Sequence, residues 1–246
     1  MTAAALHLLL LGHGKTGAVV AEVAAERGHR TTTLTGRENA NAAWLTVAHL
    51  RDVDVVIDFT TPRAVLQNIF ACIAAGRPMV VGTTGWYDQL QRVRQDVERA
   101  GTGLVFAANF SYGVNLFFHI ARAAAPALGY GYTGHITEKH HTHKKDAPSG
   151  TAMALQQVLA EAADNILEIT SQREGEVMGI HTLAFSSAGD QIVLTHEVKS
   201  RRTFAEGAVL AAEWIAGRTG FYDFKDIFTQ LRFSQGAGPT IPARGK

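Results

Sequence analysis

An apolar run, Leu6 to Leu11, leads directly into Gly12-His13-Gly14-Lys15-Thr16-Gly17, and an alanine- and valine-rich stretch follows, Ala18 to Arg27. A short continuous apolar run bounded by glycine suits a strand buried on both faces of a parallel sheet. The stretch after the glycines has helical spacing, and Gly28 can end that helix. Between a strand and a helix, this glycine spacing has three physical uses. Gly12 permits a tight turn, Gly14 lets the backbone approach a pyrophosphate, and Gly17 lets the helix sit close to the strand. The pyrophosphate then meets free N–H groups at the positive end of the helix. The alternative is an ordinary strand–helix turn with no ligand.

The same alternation recurs downstream. Arg30 to Thr35 reads as a strand rich in β-branched threonine. Val53 to Phe59 reads as another, and Thr61-Pro62 opens a helix ending near Gly76, with threonine as N-cap and proline at the first position. Pro78 to Val81 is a strand closed by Gly82-Thr83-Thr84-Gly85. A polar helix follows from about Tyr87 to Arg99, then a strand from Leu104 to Ala107. Such alternation predicts an α/β fold, a Rossmann-type doubly wound parallel sheet with right-handed crossovers.

After Phe110 the texture changes. Gly113 to Leu128 reads as a long apolar helix, Gly134 to Lys139 as a strand, and Ser149 to Ala163 as a helix. Segments 179–187 and 190–198 read as antiparallel strands, and 204–217 as a helix. The expectation is a dinucleotide-binding domain over 1–110 and a second, smaller α+β substrate and oligomerisation domain over 111–217. Residues 218–246 are expected to pack back on the first.

Composition narrows the partners. The net charge of +1 gives no global reason to expect nucleic acid or a membrane, so any preference for anions must be local. One cysteine, Cys72, excludes an intramolecular disulfide and a multi-cysteine metal site, and fits a reducing compartment. Met1 to Leu11 lacks the basic start and the cleavage site of a signal peptide. No apolar run approaches the roughly 18 to 20 residues that span a bilayer. The expected location is the cytoplasm.

Four strand ends carry small or polar loops: Gly12 to Gly17, Phe59-Thr60-Thr61, Gly82 to Gly85, and Ala107-Ala108-Asn109-Phe110-Ser111. In an open parallel sheet these ends face one crevice, where ligands bind. The expected cofactor is NADPH, NADH or both. The end of the second strand distinguishes them. It reads Thr35-Gly36-Arg37-Glu38, with no acid at the place that would accept the ribose hydroxyls. Arg37 leans toward a 2′-phosphate contact, and Glu38 keeps NADH open.

The densest chemistry lies in Glu138-Lys139-His140-His141-Thr142-His143-Lys144-Lys145-Asp146-Ala147-Pro148-Ser149-Gly150-Thr151. Three histidines and two lysines occupy six positions. A helix with Ser149 as N-cap would expose the Gly150 and Thr151 amides to this cationic loop, which makes an anion site. Three readings compete: a zinc site on the histidines, a solvated basic loop, and a catalytic site for a carboxylate-bearing substrate. The adjacent lysines repel a cation and no cysteine is near, so no metal is expected. Histidine exchanges protons near neutral pH and lysine fixes carboxylates, which favours the catalytic reading.

These stretches resemble the dihydrodipicolinate reductase family over nearly the whole chain. The resemblance rests on the amino-terminal glycine loop, Ile57-Asp58-Phe59-Thr60, Gly82-Thr83-Thr84-Gly85, Ala107 to Ser111, Gly113-Val114-Asn115 and the histidine loop through Ala152. Ser200-Arg201 with Phe204-Ala205-x-Gly207-Ala208 is similar to a later family motif. Ala108 stands where the family usually has proline. The resemblance implies reduction of a cyclic imine dicarboxylate in diaminopimelate and lysine biosynthesis. It implies that His140 protonates the substrate carbon and that Lys144 is a second proton donor and carboxylate partner. His141 would contact substrate, and Gly150 and Thr151 would bind a carboxylate. Gly82 to Thr84 and Ala107 to Phe110 would line the nicotinamide side, with Thr84 also near substrate. It implies a homotetramer built through the second-domain sheets. The alternative reading is another two-domain NAD(P)-dependent dehydrogenase, acting on an amino acid.

Overall fold

A computed structural model describes residues 5–231. The first half alternates strand and helix: β1 (His7–Leu11), α1 (Lys15–Glu26), β2 (Arg30–Leu34), β3 (Val55–Asp58), α2 (Pro62–Ala74), β4 (Met79–Val81), α3 (Leu90–Ala100) and β5 (Gly103–Phe106). The second half runs α4 (Tyr112–Ala124), β6 (Thr133–His140), α5 (Gly150–Ala163), β7 (Glu168–Arg173), β8 (Ile180–Ser186), β9 (Gln191–Glu197), α6 (Arg202–Ile215), β10 (Gly220–Asp223) and α7 (Phe224–Ile227).

One sheet has the order β10-β5-β4-β3-β1-β2, and every pairing in it is parallel. Both faces are covered, which is why β1, β3, β4 and β5 are almost wholly apolar. On one side Leu8, Leu10, Val55 and Ile57 pack under α1 and α6. On the other, Leu9, Leu11, Val56 and Val81 pack under α2 and α3. The doubly wound expectation holds.

The second sheet has the order β7-β6-β8-β9. It is mixed: β6 and β7 are parallel, joined through α5, whereas β6–β8 and β8–β9 are antiparallel. Its inner face, with Ile136, Leu183 and Phe185, packs on α4 and α5 through Phe117, Leu155 and Leu159.

Three details depart from the sequence reading. The helix read as Gly113–Leu128 is α4 ending at Ala124, followed by a 3-10 stretch, Ala125–Tyr130. Pro126 lacks the N–H that would continue the α-helix. Strand β7 was not anticipated. It is an edge strand whose alternate residues Glu168, Thr170 and Gln172 are exposed polar groups, so it carries little apolar signal. Helix α6, assigned above to the second domain, instead packs on the first sheet. Its Ala205, Ala208, Ala211 and Ala212 are fully buried there, and a Cβ on Gly207 would lie 1.8 Å from the Phe110 carbonyl oxygen. After α6 the chain rejoins the first sheet through β10, beside β5. Residues 232–246, also expected to pack on the first domain, lie outside the described residues.

Candidate active site

The glycine loop is built by close approach. Gly12 has φ +96°, and a Cβ there would sit 2.4 Å from the Phe59 carbonyl oxygen. A Cβ on Gly17 would sit 2.3 Å from the Gly12 carbonyl oxygen, so only glycine lets α1 start this near β1. Gly14 differs: nothing lies within 4 Å of its Cβ position. The backbone of Gly14 faces open space, the condition a pyrophosphate requires. A cavity of about 350 Å³ opens there, lined by Gly14 to Gly17, Phe59, Thr60, Pro62, Gly82 to Thr84 and Arg201.

Asp58 holds the neighbouring loops together from below. It is fully buried at the end of β3. Its Oδ1 accepts from the Thr60 amide (2.9 Å), the Thr60 hydroxyl (2.8 Å) and the Thr83 hydroxyl (2.6 Å), and its Oδ2 accepts from Asn68 (2.7 Å). The loops after β3 and β4 are thereby fixed to one another.

A larger cleft of about 1160 Å³ lies between the two sheets' domains, and Thr84 lines both spaces. From the first domain its walls include Gly85, Tyr87, Ala107, Ala108 and Asn109. From the second they include His140, Lys144, Asp146, Ser149, Gly150 and Thr151. Ser149 caps α5: its Oγ accepts from the Ala152 amide at 3.2 Å. The positive end of α5 therefore opens into the cleft beside Lys144, whose ammonium pairs with Asp146 at 2.8 Å. That ion pair holds the Asp146 carboxyl below its usual range.

His140 ends β6. Its Nδ1 hydrogen-bonds to Glu138 Oε2, and Arg173 from β7 donates to Glu138 Oε1 at 3.0 Å. Burial pushes the His140 imidazole below its ordinary pKa, and the Glu138 carboxylate pulls the other way. Burial alone would raise Glu138, but hydrogen bonds from Arg173, Ser171 and His140 outweigh it and hold the carboxyl low. His181 on β8 packs edge-on against His140, with ring centroids 5.2 Å apart, and shares a 3.1 Å hydrogen bond with Ser149 Oγ. Burial pushes His181 down to about 4.

Most residues singled out from the sequence line one of the two spaces. Five do not. Gly12 lies under the loop against Phe59, and His13 is exposed. Arg37 is exposed beyond β2, while Glu38 folds back to accept from the Thr35 amide at 2.7 Å. Phe110 is buried against Phe224. His141 is absent from the cleft walls, and its Nδ1 is buried without a hydrogen-bond partner among the described residues. Conversely Glu138, Arg173, His181 and Arg201 were not assigned roles. Arg201 could have been found, since it stands beside the Phe204–Ala208 motif.

Comparison with known proteins supplies the family. Residues 6–110 match the family model described as dihydrodipicolinate reductase, N-terminus, and residues 113–228 match that of its C-terminus. The chain belongs to the dihydrodipicolinate reductase family. A 4-hydroxy-tetrahydrodipicolinate reductase of Christiangramia forsetii is 36% identical over 242 residues, covering 92% of this chain and 99% of that one. Another, of Thiobacillus denitrificans, is 40% identical over 221 residues, covering 77% and 82%. The structure of dipicolinate-bound dihydrodipicolinate reductase from Paenisporosarcina sp. TG-14 superposes with a TM-score of 0.75. At 24% identity, over 91% of this chain and 99% of that one, it shows the shared fold. A dihydrodipicolinate reductase is an NAD(P)H-dependent oxidoreductase, and the open face of Gly14 fits that cofactor. Among the described residues no helix is long and apolar enough to cross a membrane.

Proposed function

We propose that this chain reduces 4-hydroxy-tetrahydrodipicolinate to tetrahydrodipicolinate in diaminopimelate and lysine biosynthesis. The observation that carries this reading is the shared cleft. His140, Lys144 and the start of α5 face Thr84 and Asn109 across one space, and that space adjoins the glycine-loop cavity.

Gly14, Lys15, Thr16 and Gly17 hold the pyrophosphate, Phe59, Thr60 and Gly82 to Thr84 flank it, and Ala107 to Asn109 receive the nicotinamide end. When bound, NADH or NADPH supplies hydride to a conjugated ring carbon. Gly150 and Thr151 bind one substrate carboxylate through their amides, aided by the α5 dipole. Lys144 neutralises carboxylate charge, and Asp146 keeps its ammonium in the cleft wall. Loss of the 4-hydroxyl as water leaves the conjugated imine. Hydride addition pushes an electron pair toward the ring nitrogen, and the pair returns to the adjacent carbon as His140 delivers its proton there. The cleft, about 1160 Å³, has room for a small diacid and the nicotinamide end together. Arg37 acts, if the 2′-phosphate is present, from outside the cavity wall.

We place residues 5–110, α6 and the described segment after it, to residue 231, in the cofactor domain, and the second sheet with α4 and α5 in the substrate domain. The protein works in the cytoplasm as a homotetramer. Support for assembly comes from the bare outer face of the second sheet. Thr170, Thr137, Thr182 and Thr195 stand in register across all four strands, with Ala184 and the half-exposed Val193 in the next row. A flat row of small β-branched side chains suits a second copy of the same face.

The test is a coupled assay. Pyruvate and aspartate semialdehyde are condensed by the preceding synthase, this protein is added, and NAD(P)H absorbance is followed. Consumption dependent on both precursors is expected. Oxidation of an amino acid with no action on the cyclic imine would replace this reading with an amino-acid dehydrogenase.

A further inference from the structure

His140 does not stand alone on β6. Residues two apart on a strand share a face, so Glu138 and His140 both point inward. Arg173 pairs in register with His140 on the parallel neighbour β7, and its guanidinium reaches back to Glu138. The result is a chain, Arg173 to Glu138 to His140, running from the sheet edge to the cleft. Glu138 is fully buried and absent from the cleft walls, so it touches no ligand there. A buried carboxylate is costly unless paired and hydrogen-bonded. Here one oxygen takes Arg173 and the other takes the imidazole. The sheet and α5 could be covered without it, so the fold alone gives little reason for an ionised group at this point.

We propose that Glu138, braced by Arg173, is the positioning residue for His140: its carboxylate accepts the hydrogen bond from Nδ1–H and leaves Nε2 as the nitrogen that exchanges a proton with the ligand. A carboxylate on one ring nitrogen fixes both the tautomer and the orientation of the other. Nε2 then lies beside Gly179, where a Cβ would come within 2.9 Å, so glycine keeps that edge of the ring clear. The charged and titratable groups facing His140 are Glu138 on its own strand, Arg173 on β7, His181 on β8, and Lys144 and Asp146 on the following loop. Of these, Glu138 is the group whose contact raises the proton affinity of the imidazole, and Arg173 and Lys144 lower it.

This inference rests on the proposed function for its kinetic readout but not for its chemical one. The chemical readout is the rate at which diethyl pyrocarbonate modifies His140, followed by peptide mass as pH is varied. The reagent attacks the neutral imidazole, so the midpoint reports the His140 proton. Glu138→Gln should move that midpoint down by about one pH unit, as loss of a neighbouring opposite charge does. Arg173→Gln, at a partly exposed site and less disruptive to folding, should move it up. Kinetically, Glu138→Gln should lower kcat by roughly 10- to 100-fold in the native background. In a His140→Ala background it should cost less than about twofold, because the two residues act as a unit. Glu138→Asp, which keeps the charge, should recover part of the loss. Midpoints that stay put, shifts of the same sign in both variants, or an equal kcat loss with and without His140 would each overturn the proposal. If the wild type ignores the cyclic imine, the proposed function fails while the modification midpoints still decide this one.

Discussion

Asn109 Nδ2 reaches Thr151 Oγ1 at 3.4 Å, joining the loop after β5 to the first turn of α5 across the cleft. The Asn109 side chain is itself fixed, because its Oδ1 accepts from the Ser111 amide at 2.8 Å. The cofactor side and the carboxylate side are thus linked by side chains that both line the cleft. Thr151→Val keeps the volume and the backbone amide but removes the hydroxyl. We expect thermal stability to change little and kcat/KM for the cyclic imine to fall by about tenfold, the equivalent of one hydrogen bond of roughly 1.4 kcal/mol. An unchanged kcat/KM would show that the link has no part in turnover.

Two of the loop glycines should separate in experiment. Gly17→Ala drives a Cβ to 2.3 Å from the Gly12 carbonyl oxygen, a backbone contact that cannot yield cheaply. It should destabilise the fold by about 1–3 kcal/mol or more. Gly14→Ala meets nothing within 4 Å and has φ −77°, which alanine adopts freely. Its cost to folding should be roughly that of alanine at a helix N-cap, about 0.5–1 kcal/mol. Its cost to NAD(P)H affinity should be at least about tenfold, because the methyl occupies the space left for pyrophosphate. Denaturant unfolding and calorimetric titration of the same two variants check both halves. Equal NAD(P)H affinity in Gly14→Ala would move the dinucleotide elsewhere.

His140 and Lys144 should fail differently. His140→Ala should lower kcat by roughly 10²- to 10⁴-fold with a smaller change in KM, the usual range for a lost proton donor. Lys144→Ala removes a carboxylate partner and should raise KM as well as lower kcat. In the wild type, burial lowers the His140 pKa, so the protonated acid is depleted as pH rises through that lowered value. The rate should therefore decline on the alkaline side of the profile, and His140→Ala should lose that limb. Steady-state kinetics across pH, with both variants alongside, makes the comparison.

Why some of this was readable in the sequence and some was not has a physical explanation. The glycine loop was legible because backbone approach leaves no substitute for glycine at Gly12 and Gly17. The His140–Lys144 loop and the Ser149 cap were legible because the chemistry is concentrated in consecutive residues. Arg173 was hidden because it ends an edge strand with almost no apolar face, so the strand itself went unread. Glu138 and His181 were hidden for another reason. They meet only through the register of β6 against β8, where they are directly opposed. Helix α6 was misassigned because its small buried residues fit either sheet by pattern, and only the packing itself, with Ala205, Ala208, Ala211 and Ala212 in the first sheet's core, distinguishes them.

His181 should make the protein sensitive to acid. It is buried, its Nδ1 has no hydrogen-bond partner among the described residues, and its Nε2 is engaged with Ser149 Oγ. A protonated imidazole there would carry an N–H with no acceptor and lie beside His140, His196 and Lys144, with only Glu138 opposing them. Burial, the largest influence, brings its pKa from 6.5 down to about 4. The sign follows from which state binds the proton. Above pH 6.5 both folded and unfolded chains hold a neutral His181, and the group costs nothing. Between pH 6.5 and about 4 the unfolded chain alone takes up the proton, so folding stability falls. Below about pH 4 the loss is complete, at roughly 3 kcal/mol from this group. His181→Gln keeps an amide that can hydrogen-bond Ser149 but does not titrate. Urea unfolding at pH 7 and pH 4 should show the wild type losing about that much more stability than the variant. Parallel pH dependence in the two proteins would mean that the acid-sensitive group lies elsewhere.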